Sequence, residues 1–279
     1  MPGVLSRPVS KASWLALAPL IIALVMRKHG GFYYRSFIST LCIGIMASFG
    51  VVSSLVLPLI GKRGWINWLV ARGYYHLCGK LLDITTTVEG QQYLDPSYGP
   101  AVYVCNHQSS LDVLMMGSVF PKMTSVVAKK ALKYYPFLGW FMILSNAVFL
   151  DRKNRESAVS EAKQAASDIH KKKTSVWLFP EGTRGRPLEI DMLPFKKGAF
   201  YMAVQARVPI IPIVVSNYQN IYNSKAKHFT TGNVKIRVLP PIPTDGVEES
   251  SEDINRLTNH VRDQMLTALR QISPDPISF

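Results

Sequence analysis

His107 and Asp112 stand five positions apart in Asn106-His107-Gln108-Ser109-Ser110-Leu111-Asp112, directly after a strand-like run from Ala101 to Cys105. A histidine acting as a base needs a group that holds its ring and fixes its tautomer, and a carboxylate one short turn away supplies it. None of the other five histidines, His29, His76, His170, His228 and His260, has an acidic residue five positions later. Chance gives a histidine such a partner roughly one time in twenty at average aspartate usage. The pair alone is therefore a modest signal. Five helical residues turn through about 500°, leaving the two side chains about 140° apart. They meet only if His107 lies in a strand-to-helix turn and Asp112 in the first helical turn. An acid there also suits the helix dipole, and Ser109 or Ser110 would serve as N-cap.

No Gly-x-Ser-x-Gly elbow occurs in the chain, so no serine is presented as a nucleophile in that way. The base is expected to activate a hydroxyl of a substrate, without an acyl-enzyme. A second constellation, Phe179-Pro180-Glu181-Gly182-Thr183-Arg184, also follows a strand-like run. Gly182 permits a tight turn, Thr183 adds a hydroxyl, and Arg184 presents a planar fork suited to phosphate. Phe149-Leu150-Asp151-Arg152 puts another arginine at a strand end, and Lys196-Lys197-Gly198 is a third cationic turn. Singly, each such charge is more often a solvated surface group. Three at strand ends point to one anionic headgroup. Cys42, Cys78 and Cys105 form no CxxC pair or zinc-like spacing, so no metal is expected and the thiols read as reduced.

These turns need a scaffold. The chain has 279 residues and a formal net charge of +14. That charge suits nucleic acid or a membrane surface with phosphorylated substrates. The apolar N-terminus favours the membrane, with no nucleic acid as partner. Residues 1–85 read as membrane-associated helices and residues 86–279 as an α/β domain. Ala12 to Met26 would make a helix of about 22 Å, short of the ~30 Å hydrocarbon layer, and reads as interfacial or re-entrant. Phe37 to Ile60 carries no charge; it is long enough to span, yet its glycines and Pro58 would also let it bend within one leaflet. Trp65 to Ile84 mixes aromatics with cations, as headgroup-layer segments do. Strands are expected at Ala101–Cys105, Ser125–Ala128, Ala147–Leu150, Ser175–Phe179, Ile210–Val215 and Val234–Leu239. Helices are expected at Ser110–Phe120, Phe137–Leu144, Arg155–Lys172 and from about Glu252 to Ile272. Such alternation predicts a mixed, mostly parallel sheet covered by helices. Pro209 to Val215 reads as a buried, mainly structural strand that could line an apolar chain pocket.

Four blocks together resemble the glycerolipid acyltransferase family: Asn106-His107 through Asp112, Phe149 to Arg152, Phe179 to Arg184, and Pro209 to Val215, in the family's order. Within it the chain looks most like 1-acylglycerol-3-phosphate acyltransferases, notably fungal ones; Pro136 to Phe141 and Leu193 to Phe200 support this. The resemblance implies acyl transfer from acyl-CoA, a co-substrate and not a bound cofactor, to the sn-2 hydroxyl of lysophosphatidic acid. It implies His107 as general base and Asp112 as its orienting partner. It implies Arg152, Glu181, Gly182, Thr183 and Arg184 around the glycerol phosphate, with Asn106, Lys197 and Gly198 in support. It further implies a membrane enzyme of the endoplasmic reticulum or a lipid droplet, its site facing the cytosol. The alternatives are another lysophospholipid acceptor, a CoA-independent transacylase, or a non-enzymatic anionic-lipid binder. One departure stands out: Asn146 occupies the position where the second block often has glycine, and asparagine tolerates left-handed backbone.

Overall fold

The central strands are nearly continuous apolar runs (Val102–Cys105, Ser175–Leu178, Ile210–Val215) buried at every position; since successive side chains of a strand point to opposite sides, both faces must be covered. A computed structural model of the chain describes residues 25–26, 29–150, 155–185 and 190–274. Most of the expected segment Ala12–Met26, and Arg152 with its neighbours, lie outside the described residues. The seven-stranded sheet has the order β1-β9-β6-β2-β5-β3-β4. The strands are β1 (Ile84–Glu89), β2 (Val102–Cys105), β3 (Thr124–Lys129), β4 (Val148–Leu150), β5 (Ser175–Leu178), β6 (Ile210–Val215) and β9 (Gly232–Val238). β6 with β9 is antiparallel and the other pairs are parallel. The expected mixed, mostly parallel sheet is thus present. A separate hairpin joins β7 (Tyr222–Asn223) to β8 (His228–Phe229).

Val102, Val104, Val176, Ile210 and Val214 pack on helices α5 (Arg155–Lys172), α6 (Gly198–Gln205) and α7 (Ser251–Ile272). Tyr103, Cys105, Trp177, Ile211, Ile213 and Val215 face the other way, against α2 (Ile66–Leu82) and α3 (Asp112–Val119). α7 is begun by Ser250, whose hydroxyl accepts the Asp253 N–H, and Ile254, Leu257, Val261, Met265 and Leu269 of its apolar stripe are buried.

The N-terminal helices do not stand apart from this body. Cys42 of α1 (Phe32–Val56) and Tyr74, Cys78 and Leu82 of α2 are buried in the same core as the sheet. α1 also packs on α4 (Leu138–Leu144), where Gly50 meets the Phe141 ring. The helical run Phe32–Ile60 has the length and composition to cross a membrane. It keeps one side against the protein (Arg35, Cys42, Ala47, Gly50) and exposes Phe37, Leu41, Ile45 and Phe49 on the other. Trp65 to Ile84, expected in the headgroup layer, is mostly α2, and its inner face is core.

Candidate active site

β2, β5 and β6 run parallel through the centre of the sheet, so their C-terminal ends share one edge. This brings together three segments distant in sequence: 106–112, 179–185 and 215–218. Ligand sites of open α/β sheets lie at such carboxyl ends. The residue after each strand matters: Asn106 leaves β2 with its amide paired to Val215, accepting from the Val215 N–H at 2.8 Å and donating to the Val215 carbonyl at 2.9 Å. The Gln108 amide donates to the carbonyls of Val215 and Ser216, both at 3.0 Å. The turn carrying His107 is therefore sewn to the end of β6.

His107 and Asp112 do meet. Nδ1 of His107 lies 2.7 Å from Oδ2 of Asp112, with His107 in the turn and Asp112 the first residue of α3. The expected serine cap is absent: Leu111 is the N-cap and makes no side-chain cap bond. Asp112 itself receives the exposed turn amides, its Oδ2 accepting from Gln108 N–H at 2.6 Å and Ser109 N–H at 2.8 Å. A carboxylate oxygen gathers several donors where a serine hydroxyl satisfies one. Ser109 belongs instead to a relay: Leu111 N–H donates to its Oγ, its hydroxyl lies 2.8 Å from Tyr218 Oη, and that phenol donates to Asp112 Oδ1 at 2.5 Å. Burial first, and then the adjacent Asp112 charge, push the Tyr218 phenol well above its ordinary range, so it remains a donor. With both oxygens of Asp112 accepting, Nδ1 must carry the proton, which leaves Nε2 with a free lone pair. The imidazole stacks on Phe179, ring centroids 4.2 Å apart.

Glu181 braces the turn that carries the histidine. It is 3% exposed, and its carboxylate accepts the N–H of His107 at 2.7 Å and of Leu193 at 3.0 Å. Burial raises its pKa, partly offset by those two hydrogen bonds. Gly185 N–H in turn donates to the His107 carbonyl at 2.8 Å. Glu181 thus holds the backbone of the histidine in place. Gly182 has φ +71°, the left-handed conformation the turn requires. Lys197 caps α6 and Gly198 opens it; it is Lys196 that reaches the 179–184 turn, its N–H donating to the Pro180 carbonyl at 2.7 Å.

A cavity of about 780 Å³ opens against His107, with Thr183, Arg184 and Lys129 also on its wall. Its remaining lining is largely apolar, from α1, α2 and α4 with Phe120, Trp177 and Phe179. Buried β6 does not line it, contrary to the chain-pocket reading of Pro209 to Val215. A space of this size, apolar with a few convergent polar groups at one end, is the usual form of a small-molecule site. The arrangement offers a base, a cation and room for an aliphatic chain. Asn146 does adopt left-handed backbone, φ +59°. Tyr218 was missed by sequence reading, since an isolated tyrosine beyond a strand carries no motif; only the alignment of the ends of β2 and β6 would have placed it.

A family model described as Acyltransferase matches residues 85–216. The chain is 40% identical over 245 residues to the 1-acyl-sn-glycerol-3-phosphate acyltransferase of Saccharomyces cerevisiae, covering 88% of this chain and 80% of that protein. It is 44% identical over 195 residues to the human 1-acyl-sn-glycerol-3-phosphate acyltransferase alpha, covering 70% and 67%. The chain belongs to the 1-acyl-sn-glycerol-3-phosphate acyltransferase family. It is an O-acyltransferase, which makes a base beside an apolar cavity the chemistry to be expected. The acyltransferase also matches in fold the crystal structure of the 1-acyl-sn-glycerophosphate acyltransferase PlsC of Thermotoga maritima, with a TM-score of 0.69 at 21% identity over 90% of this chain and 97% of that one.

Proposed function

We propose that this acyltransferase moves a fatty acyl group from acyl-CoA to the sn-2 hydroxyl of lysophosphatidic acid, giving phosphatidic acid and free CoA. The observation that carries the reading is His107, held from behind by Asp112 at 2.7 Å while its ring borders the apolar cavity. Nε2 takes the proton of the acceptor hydroxyl as its oxygen attacks the thioester carbonyl. The tetrahedral adduct then collapses, the C–S bond breaks, and the imidazolium returns its proton to the departing thiolate. Asp112 stabilises the transient imidazolium and fixes the tautomer. Arg184 and Thr183 engage the phosphate, joined by Arg152, and the acyl chain lies in the cavity. No resident cofactor enters the scheme. The natural setting is the endoplasmic reticulum, with the site on the cytosolic side where acyl-CoA is made available.

The test is acceptor-dependent CoA release by purified protein in detergent. Oleoyl-CoA should be consumed only when lysophosphatidic acid is added, and His107→Ala should lower kcat by about 10²–10⁴-fold, the usual worth of a positioned base. A folded His107→Ala variant with unchanged turnover would sink the mechanism. Faster turnover on a different lysophospholipid would reassign the acceptor while leaving the chemistry intact.

A further inference from the structure

Carboxylates are absent from two long stretches of this chain: everything before Asp83, and everything between Asp112 and Asp151. Among the described residues, every exposed large apolar side chain except Tyr98 and Leu193 falls in those same two stretches. The first contains α1 and α2. The second lies inside the catalytic body, and its exposed side chains concentrate between residues 134 and 143: Tyr134 at 76%, Tyr135 at 58%, Phe137 at 49%, Trp140 at 52% and Ile143 at 43%. Scattered apolar residues on a surface are ordinary, but a contiguous set marks a contact site. The two stretches touch, since Phe141 of α4 packs on Gly50 of α1. They touch again where Lys122 places its ammonium 4.2 Å from the Trp65 ring and 4.9 Å from that of Trp68.

We propose that residues 130–143, the short helical turn Lys130–Tyr134 and α4, form a second bilayer-docking surface beside α1, seated on an anionic membrane. The occupant is argued from chemistry. Tyrosine and tryptophan with lysine at their edge is the composition of the membrane–water interface, and Lys129, Lys130 and Lys133 lie exposed along this edge. With no carboxylate in the stretch, nothing on it repels phosphate headgroups. α4 is also fixed beside α1, through the contact of Phe141 with Gly50. α4 is then a wall one helix thick. Leu138, Phe141 and Met142 line the cavity that ends at His107, while Phe137, Trp140 and Ile143 face the lipid. The cavity would thus lie directly against the layer that holds its lipid substrate. This inference rests on surface and packing and stands apart from the acceptor proposed above.

The native cysteines are all buried, so a single introduced cysteine can carry an environment-sensitive fluorophore. Full-length Trp140→Cys and Ile143→Cys would be labelled, with Asn259→Cys on the exposed side of α7 as the aqueous control. Each is reconstituted in vesicles of phosphatidylcholine with phosphatidylglycerol, after a melt that matches the parent. Expected is several-fold stronger quenching at 140 and 143 by a nitroxide carried on lipid acyl chains than by iodide, with the reverse at 259. Iodide quenching at 140 and 143 equal to that at 259 would overturn the proposal. So would protection from both quenchers, which would mean that protein and not lipid covers the surface.

Discussion

At the scale of single residues, the site is a set of hydrogen bonds converging on one carboxylate. Asp112 is 1% exposed and accepts from His107, two turn amides and Tyr218. A buried charge is tolerable when it is this fully bonded. Tyr218 is the member whose removal separates positioning from folding. In Tyr218→Phe, Asp112 loses a donor and its hold on the His107 ring loosens. Such a bond is worth about 1 kcal/mol, so kcat should fall about fivefold while KM changes little. A lower melting temperature with an unchanged kcat would show that Tyr218 serves the fold alone. His107 and Asp112 were legible as a pair because their spacing is local. Tyr218 and the inward role of Glu181 were not, because each depends on which strand ends meet across the sheet.

At the scale of elements, glycine placement shows how α1 and α4 were fitted together. A Cβ at Gly50 would stand 2.5 Å from the Phe141 ring, whereas one at Gly44 meets nothing within 4 Å. Alanine is the better helix former by about 1 kcal/mol, so Gly44→Ala should raise the melting temperature slightly. Gly50→Ala must displace Phe141, a cavity wall, and should destabilise by about 1–3 kcal/mol as overpacking does. It should also lower turnover of long acyl donors more than of short ones. A thermal melt in detergent and a donor chain-length series check both. Equal behaviour of the two variants would mean that α1 and α4 are not in fixed contact. Long periodic elements such as α7 were readable from their stripe. α6 was not, because Gly198–Gln205 is short and largely buried, so no polar face gives it a period. β1 was hidden by Thr85-Thr86-Thr87, whose repeated type shows no alternation in the sequence although their exposure alternates in the strand paired with β9.

At the scale of the whole molecule, the question is whether the N-terminal helices and the sheet behave as one body. Composition suggested a division near residue 85, since hydropathy changes there, but hydropathy does not report which faces are shared. The structure has a specific tie. Arg35, 0% exposed in α1, donates from Nη1 at 3.0 Å and Nη2 at 2.6 Å to the Leu82 carbonyl at the end of α2, and from Nε at 3.2 Å to the Phe229 carbonyl in β8. Its guanidinium also sits 5.4 Å from the Phe229 ring centroid. One planar fork thus joins α1, the last turn of α2 and the β7–β8 hairpin, which follows Tyr218 by only a few residues. Arg35→Met keeps the apolar stem but strands two buried carbonyls, each costing about 1–3 kcal/mol. Arg35→Lys should rescue little, because an ammonium lacks the fixed fork needed to reach both carbonyls. Hydrogen exchange of the full chain in detergent gives the decisive readout. If the tie couples the halves, Arg35→Met should speed exchange in α1 and in residues 221–230 together, and CoA release should fall through the loosened Tyr218 segment. Faster exchange confined to α1 would mean that the N-terminal helix opens alone, and that the catalytic edge of the sheet is held without it.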